Sequence, residues 1–405
     1  MPAHITHQIF AQRTVKEALS DKGLQLINRF SSWLTLGAQG PDMFLHNQMT
    51  EPSSFSYGKL LHTRGYGTFV RCMLDILLDF SLEQRGHQGH RGRQDRQEQR
   101  GHQGHRGRQD RQEQRGHQGR QDRQGQHEHQ GQRGQSSIPA KREGDSLLFT
   151  PEGVFILAYA THAVLDRHTH PFIMYFSGWV DEGDEGTKKY HQCHPFFERI
   201  LDVLVLEAYK KEKIQTYDFL SQINVGTELP ARLHFLLADA LSCAFGAGED
   251  RDLLLQKIAN GYRDMMDIYT LTNPLKPENL LTAFDRDKKE NFKNRLLALF
   301  HPPALEDDVD FLNIAGRPWQ NPCSEDPKER TESFWALFEA AESAAVPIVK
   351  RLAGILENRN STEGVEELIG NTNLSDGSSE QPCLPLRCSP LPLPELIEAI
   401  YRNAG

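Results

Sequence analysis

The sequence predicts an all-α fold, and three observations carry that reading. Apolar residues recur at the 3.6-residue helical period in segment after segment. Alternating, strand-like stretches are scarce. The one long segment without the helical pattern contains no apolar residue at all, so it takes no part in a core. The first clear stripe lies at 68–82, TFVRCMLDILLDFSL, with Phe69, Met73, Ile76, Leu77 and Phe80 on one face. Residues 152–168 (EGVFILAYATHAVLDRH) read as a long buried helix, and 195–213 as another that opens with Pro195 in its first turn. Further helices are expected at 229–245, 250–269, 289–300 and 332–356. Beyond 358 the chain turns polar and then Pro-rich, which suggests a flexible tail closed by a short helix, PELIEAIYR.

The patternless segment is an internal repeat. RGHQGHRGRQDRQEQ fills 85–99 and recurs unchanged at 100–114, and a third copy begins at Arg115. A 15-residue period of Gln, Arg, Gly and His is too short and too polar for a stacked repeat unit. We expect 84–145 to be a disordered insertion within a folded domain. Hydrophobic residues make up 38 % of the 405-residue chain. Setting 85–134 aside raises the remainder to roughly 43 %, close to the globular norm. Charge divides the same way: the chain carries −9, residues 85–134 carry +6, and the remainder −15. An acidic folded part disfavours nucleic acid as the main partner.

No run of 18 apolar residues exists, so no membrane-spanning helix is expected. The N-terminal MPAHITHQIFAQR lacks an apolar signal region, and six Cys in 405 residues form no dense framework. Together these suggest reduced thiols and a cytoplasmic location.

Outside the repeat, eleven His remain, and several stand at helical spacing from carboxylates. His162 and Asp166 are four apart within an apolar helix, so they share one face. His170 follows four later, and Pro171 suggests that the helix ends there. His194 and Glu198 repeat the four-residue spacing on the next helix. Two such helices face to face can gather nitrogen and oxygen donors around Zn²⁺ without a thiol. The competing reading is a set of satisfied core His–carboxylate pairs. Asp202, four past Glu198, is either an orienting group for a ligand or part of a solvated face. His191 competes with His194 for the same role and lacks its spacing to Glu198. His4 stands near His7 without a motif, while His46, His234 and His301 read as surface or ordinary core residues.

Earlier in the chain, His7 lies in THQIFAQRTV, Asp42 in the GPD turn of WLTLGAQGPDMFLHN, and His62 in GKLLHT. The ordered series His7, GPD at Asp42, LH at His62, H-x3-D-x3-H-P at 162–171 and H-x3-E at 194–198 resembles the zinc-dependent phospholipase C family. The catalytic domain of glycosylphosphatidylinositol-cleaving phospholipase D and the single-strand zinc nucleases are more distant relatives. The motifs cover residues 1–82 and 146–213. The resemblance implies an all-α bundle holding three zinc ions. Asp42, His62 and His162 would hold one ion, with Asp166 bridging it to a second that also takes His7. His170, His194 and Glu198 would hold the third. In the family the ion beside His7 also takes the N-terminal amine of a mature Trp. Here the matching group would be Pro2 after loss of Met1, and with that site incomplete two ions are implied.

The expected domain plan is therefore a catalytic core of 1–83 and 146–225, the insertion 84–145, a helical extension 226–357 and the tail 358–405. The implied activity is phospholipase C-type hydrolysis of a phospholipid or other phosphodiester, with peripheral membrane contact and Asp42 doubling as general base. Nuclease or phosphomonoesterase activity on the same cluster is the alternative within that class. A non-catalytic metal-binding interaction protein is the alternative outside it. Phe44, Tyr66, Phe172, Tyr175, Trp179 and Trp319 are candidates for an aromatic substrate platform.

Overall fold

The structure is a computed structural model. It describes residues 3–80 and 146–404, apart from residues 182, 247, 291–295, 307, 325, 327 and 376–387. Pro2 and the repeat insertion lie outside the described residues. The chain divides into a unit of 1–77 with 146–405 and a second unit of 78–145. The expected extension 226–357 thus belongs to the same unit as the motif-bearing helices.

The described chain is helical throughout, with one two-residue antiparallel pair, Trp319–Gln320 against Glu329–Arg330. In chain order the first helices are α1 (His4–Leu19), α2 (Asp21–Arg29), α3 (Ser31–Ala38), α4 (Asp42–Leu45), α5 (Phe55–Thr63) and α6 (66–80). After the insertion come α7 (Pro151–Ser177), α8 (Cys193–Lys210), α9 (Phe219–Ile223), α10 (Ala231–Phe245), α11 (Arg251–Leu271) and α12 (Asn279–Glu290). The chain closes with α13 (Phe334–Asn358), α14 (Val365–Ile369) and α15 (Leu393–Ala404). The axis of the fold is α7, on which α3 and α13 pack most closely, with α1 and α8 alongside. Its local signals are strong. The Thr150 hydroxyl caps it by accepting the Gly153 N–H at 3.1 Å, Pro151 sits at its first position, and Gly178 at φ +75° ends it.

Pro171 does not end α7. The helix runs through it to Ser177. An interior proline costs about 3 kcal/mol. Phe172, Ile173, Met174 and Phe176 beyond it are all buried, and each such burial contributes about 1.5–3 kcal/mol. Packing outweighs the proline, and His170 stays on the same helical face as His162 and Asp166.

Three other expectations change. Of the helix expected at 289–300, residues 291–295 lie outside the described residues; 289 and 290 close α12, which begins at Asn279, and Leu297–Leu299 form a short 3₁₀ turn. Asp287 accepts the Leu296 and Leu297 amides, and both leucines are buried. The tail is not free where it is described. Arg167 donates to the Ile369 and Gly370 carbonyls, the Leu374 N–H donates to the His62 carbonyl, and the Leu391 N–H donates to the Phe176 carbonyl. The Cys are not all reduced: Cys72 on α6 is bonded to Cys243 on α10, and Cys323 is also in a disulfide. Disulfides persist in oxidising compartments, which runs against the cytosolic expectation. Among the described residues no helix is long and apolar enough to cross a membrane.

Candidate metal centre

Five helices deliver the eight candidate ligands to one place. His7 comes from α1, Asp42 from the first position of α4, His62 from the last turn of α5, and His162, Asp166 and His170 from one face of α7. His194 and Glu198 come from the first turns of α8. Gly40 makes the approach of α4 possible. Its φ is +56°, and a Cβ there would lie 2.4 Å from His162 Cγ. The loop between α4 and α5 is fastened from α11, a contact invisible in the sequence. Buried Asp264 accepts Asn47 Nδ2 at 2.8 Å, Thr50 Oγ1 at 2.6 Å and the Thr50 amide at 3.1 Å. Asn47 in turn accepts the Ser54 amide at 2.6 Å, setting the start of α5.

Asp166 is the hub. Its Oδ1 lies 3.2 Å from His7 Nε2 and 3.7 Å from His170 Nε2. Its Oδ2 lies 3.1 Å from His162 Nε2 and 3.9 Å from His62 Nε2. One carboxylate therefore faces two sets of imidazoles. Asp42 faces the same pair from the other side, with Oδ1 3.0 Å from His62 Nε2 and Oδ2 3.7 Å from His162 Nε2. Glu198 Oε1 lies 3.2 Å from His194 Nε2 and 3.5 Å from His170 Nε2. Ligands about 2.0–2.1 Å from a tetrahedral ion stand about 3.3 Å apart, the middle of this range.

The tautomers sharpen the point. His62 Nδ1 lies 2.7 Å from the Gly58 carbonyl, and His162 Nδ1 lies 3.1 Å from the Ala38 carbonyl. A carbonyl only accepts, so each Nδ1 carries the proton. In the neutral ring each Nε2 is then a bare lone pair aimed at carboxylate oxygens. His162 Nε2, Asp166 Oδ2 and both Asp42 oxygens are buried without a hydrogen-bond partner. Acceptor facing acceptor in a buried site calls for a cation between them, and a backbone carbonyl on the far nitrogen is the usual orienting bond of a metal-ligating His. The ligand atoms fall into groups that could hold an ion: His7 with Asp42 and His162, His62 with His162 and Asp166, and His170 with His194 and Glu198.

Electrostatics keeps the carboxylates ionised. In the alternative state, with the rings protonated, burial pushes Asp166 up, but the imidazoliums of His162 and His170 outweigh it and hold it well below the usual carboxylate range. Asp42 is lowered against its own burial by His162 and His62, and Glu198 by His194. His170 is raised to about 9: burial opposes the charged ring, and Asp166 and Glu198 prevail.

The other His sort themselves out. His168 donates to the Val164 carbonyl of its own helix, and His191 contacts its neighbour Gln192. Neither is in a metal-competent group among the described residues. His46 is a core residue, lowered to about 3 by burial. His4 and His301 meet Asp202 in a fourth group. Its parts lie on α1, on α8 and in the 301 loop, and the sequence signals for it were the nearness of His4 to His7 and the four-residue step from Glu198 to Asp202. Of the aromatic candidates, Phe44, Tyr66, Phe172 and Trp319 are buried core residues, and Tyr175 packs on Phe176. Trp179 is 40 % exposed, edge-on to His194 with ring centroids 6.5 Å apart.

No family model matches the chain, and no characterised protein or solved structure matches it.

Proposed function

We propose that the protein is a zinc-dependent phosphodiester hydrolase of the phospholipase C type. The observation that carries the reading is the set of four buried acceptors, His162 Nε2, Asp166 Oδ2 and both Asp42 oxygens, that face one another without a hydrogen-bond partner, with His62 Nε2 3.0 Å from Asp42 Oδ1 beside them. The eight donors fit zinc, being imidazole and carboxylate in groups of three with no thiol among them. Bound zinc would supply Lewis-acid polarisation of a phosphoryl oxygen and a nucleophile at neutral pH.

The chain's own residues do the rest. Asp166 offers one oxygen to each side of the cluster and holds the two sides in fixed relation. The Gly58 and Ala38 carbonyls lock the His62 and His162 rings. Asp42, held ionised, is the base that takes a proton from the attacking water. Trp179 stands at the edge of the cluster beside His194 and offers an aromatic face to a cationic head group.

Plasma mass spectrometry on the purified protein tests this directly, together with hydrolysis of a phosphocholine diester. Two to three tightly held zinc ions per chain, with hydrolysis abolished by a chelator and restored by zinc, are expected. Zinc held without turnover of any phosphodiester would make the cluster structural, and no zinc after reconstitution would sink the reading.

A further inference from the structure

The fourth group, His4, Asp202 and His301, has the donor set of a metal site, and its donor atoms lie within 4.8 Å of one another. All three are buried. Its bonding differs from that of the Asp166 cluster. Arg199 is 0 % exposed, and its Nη1 donates to Asp202 Oδ2 at 3.2 Å and also to His4 Nδ1. His301 Nε2 donates to the same Asp202 oxygen at 3.1 Å. The other Asp202 oxygen accepts the Thr6 amide at 2.7 Å and the Thr6 hydroxyl at 2.9 Å. Each of these contacts pairs a donor with an acceptor.

We propose that the Arg199 guanidinium is the resident cation of this group, occupying the place a metal ion would take, and that it positions the N-terminal helix by bonding Asp202 beneath Thr6. The physical case is direct. A buried carboxylate needs a compensating charge. Guanidinium is charged at every working pH and brings its cation on a tether. A nitrogen that bonds both His4 Nδ1 and Asp202 Oδ2 stands where an ion would coordinate the same two atoms, and like charge keeps a second cation out. Thr6 precedes His7, so the two bonds from Thr6 to Asp202 set the start of α1 and with it the approach of His7 to Asp166. Arg199 is a positioning residue. It acts on the Asp166 cluster only through Asp202 and α1, and this second step rests on the metal reading of that cluster; the cation replacement does not.

The test is zinc stoichiometry and zinc-dependent Tm in wild type, Arg199→Met and His301→Gln. Met fills much of the arginine stem without its charge. Arg199→Met is expected to bind one zinc more per chain than wild type, with a zinc-dependent rise in Tm at the vacated group. His301→Gln is expected to leave the wild-type zinc count unchanged, because no ion sits there. A count that falls by one in His301→Gln overturns the proposal, and so does an Arg199→Met protein that folds and gains no zinc. Should Arg199→Met fail to fold, His301→Gln still decides. Should wild type hold no zinc at all, the hydrolase reading fails, and the gain of zinc-dependent Tm in Arg199→Met still tests the guanidinium.

Discussion

Two buried groups of His and carboxylate lie side by side, and they solve the same problem differently. Around Asp202 both carboxylate oxygens meet donors, because Arg199, His301 and Thr6 supply them from within the chain. Around Asp42 and Asp166 the orienting carbonyls of Ala38 and Gly58 take up the His162 and His62 protons, leaving acceptors facing acceptors. The difference teaches how to tell a polar group compensated from within the chain from one whose chemistry calls for a cation. Residue types alone do not separate them, since both offer His and Asp at similar distances. What separates them is whether the protein provides the missing cation itself. An unpaired buried group costs about 1–3 kcal/mol. A fold that leaves four such atoms in one place has either a partner from outside or an uncompensated debt in stability.

The comparison can be broken at the hub. Asp166→Asn removes the charge shared by both sides of the cluster. Hydrolysis is expected to fall by at least about 100-fold, the scale of losing one key electrostatic group, and zinc content below the wild-type value. Unchanged rate and zinc would place the site elsewhere.

A second and smaller effect is on pH. His170 rises to about 9 in the metal-free protein, so its contribution is fully present below the unfolded value near 6.5 and is lost as pH rises through 9. The loss is on the order of 3 kcal/mol. The lowered Asp42, Asp166 and Glu198 contribute above about pH 4 and lose that contribution only as pH falls through their depressed values. Unfolding of metal-free protein by denaturant should therefore show stability declining from pH 6.5 to 9. Zinc-loaded protein should show no such decline, because a metal favours the deprotonated ring. Identical profiles with and without zinc would remove His170 from the ligand set.

Gly40→Ala adds a Cβ against the His162 ring at a positive φ. We expect about 1–3 kcal/mol of destabilisation, with zinc affinity falling in step, whereas a neutral effect would show that the GPD turn has room to shift. The smallest change sharpens the contrast from the other side. Thr6→Val deletes one of the two bonds from Thr6 to Asp202. A loss of about 1 kcal/mol is expected without change in zinc count, because that group holds a guanidinium. A lower zinc count would tie Thr6 more closely to His7 than this account does.

Much of this was legible in the chain. The all-α class, most helix positions and five candidate ligands, His162, Asp166, His170, His194 and Glu198, follow from local signals, a 3.6-residue apolar period and four-residue His–carboxylate spacings, whereas His7, Asp42 and His62 became candidates through the family resemblance. Those signals are local because side chains four apart on one helix meet whatever surrounds the helix. Other features needed the folded chain. Pro171 reads as a helix end until the burial of Phe172 and Phe176 is counted against it. Asp287 accepts the Leu296 and Leu297 amides about ten residues on, a contact no local pattern announces. Cys72 and Cys243 are 171 residues apart, and nothing local pairs them. His301 and Asp264 reach their partners from about 100 and over 200 residues away. The sequence by itself pointed to which His and carboxylates could hold a metal and on which helices most of them ride. Only the tertiary structure decided which cluster sets acceptors against acceptors and which takes a guanidinium from Arg199. The physical reason is that charge compensation is a property of what surrounds a buried group in space, and spacing along one helix does not encode it.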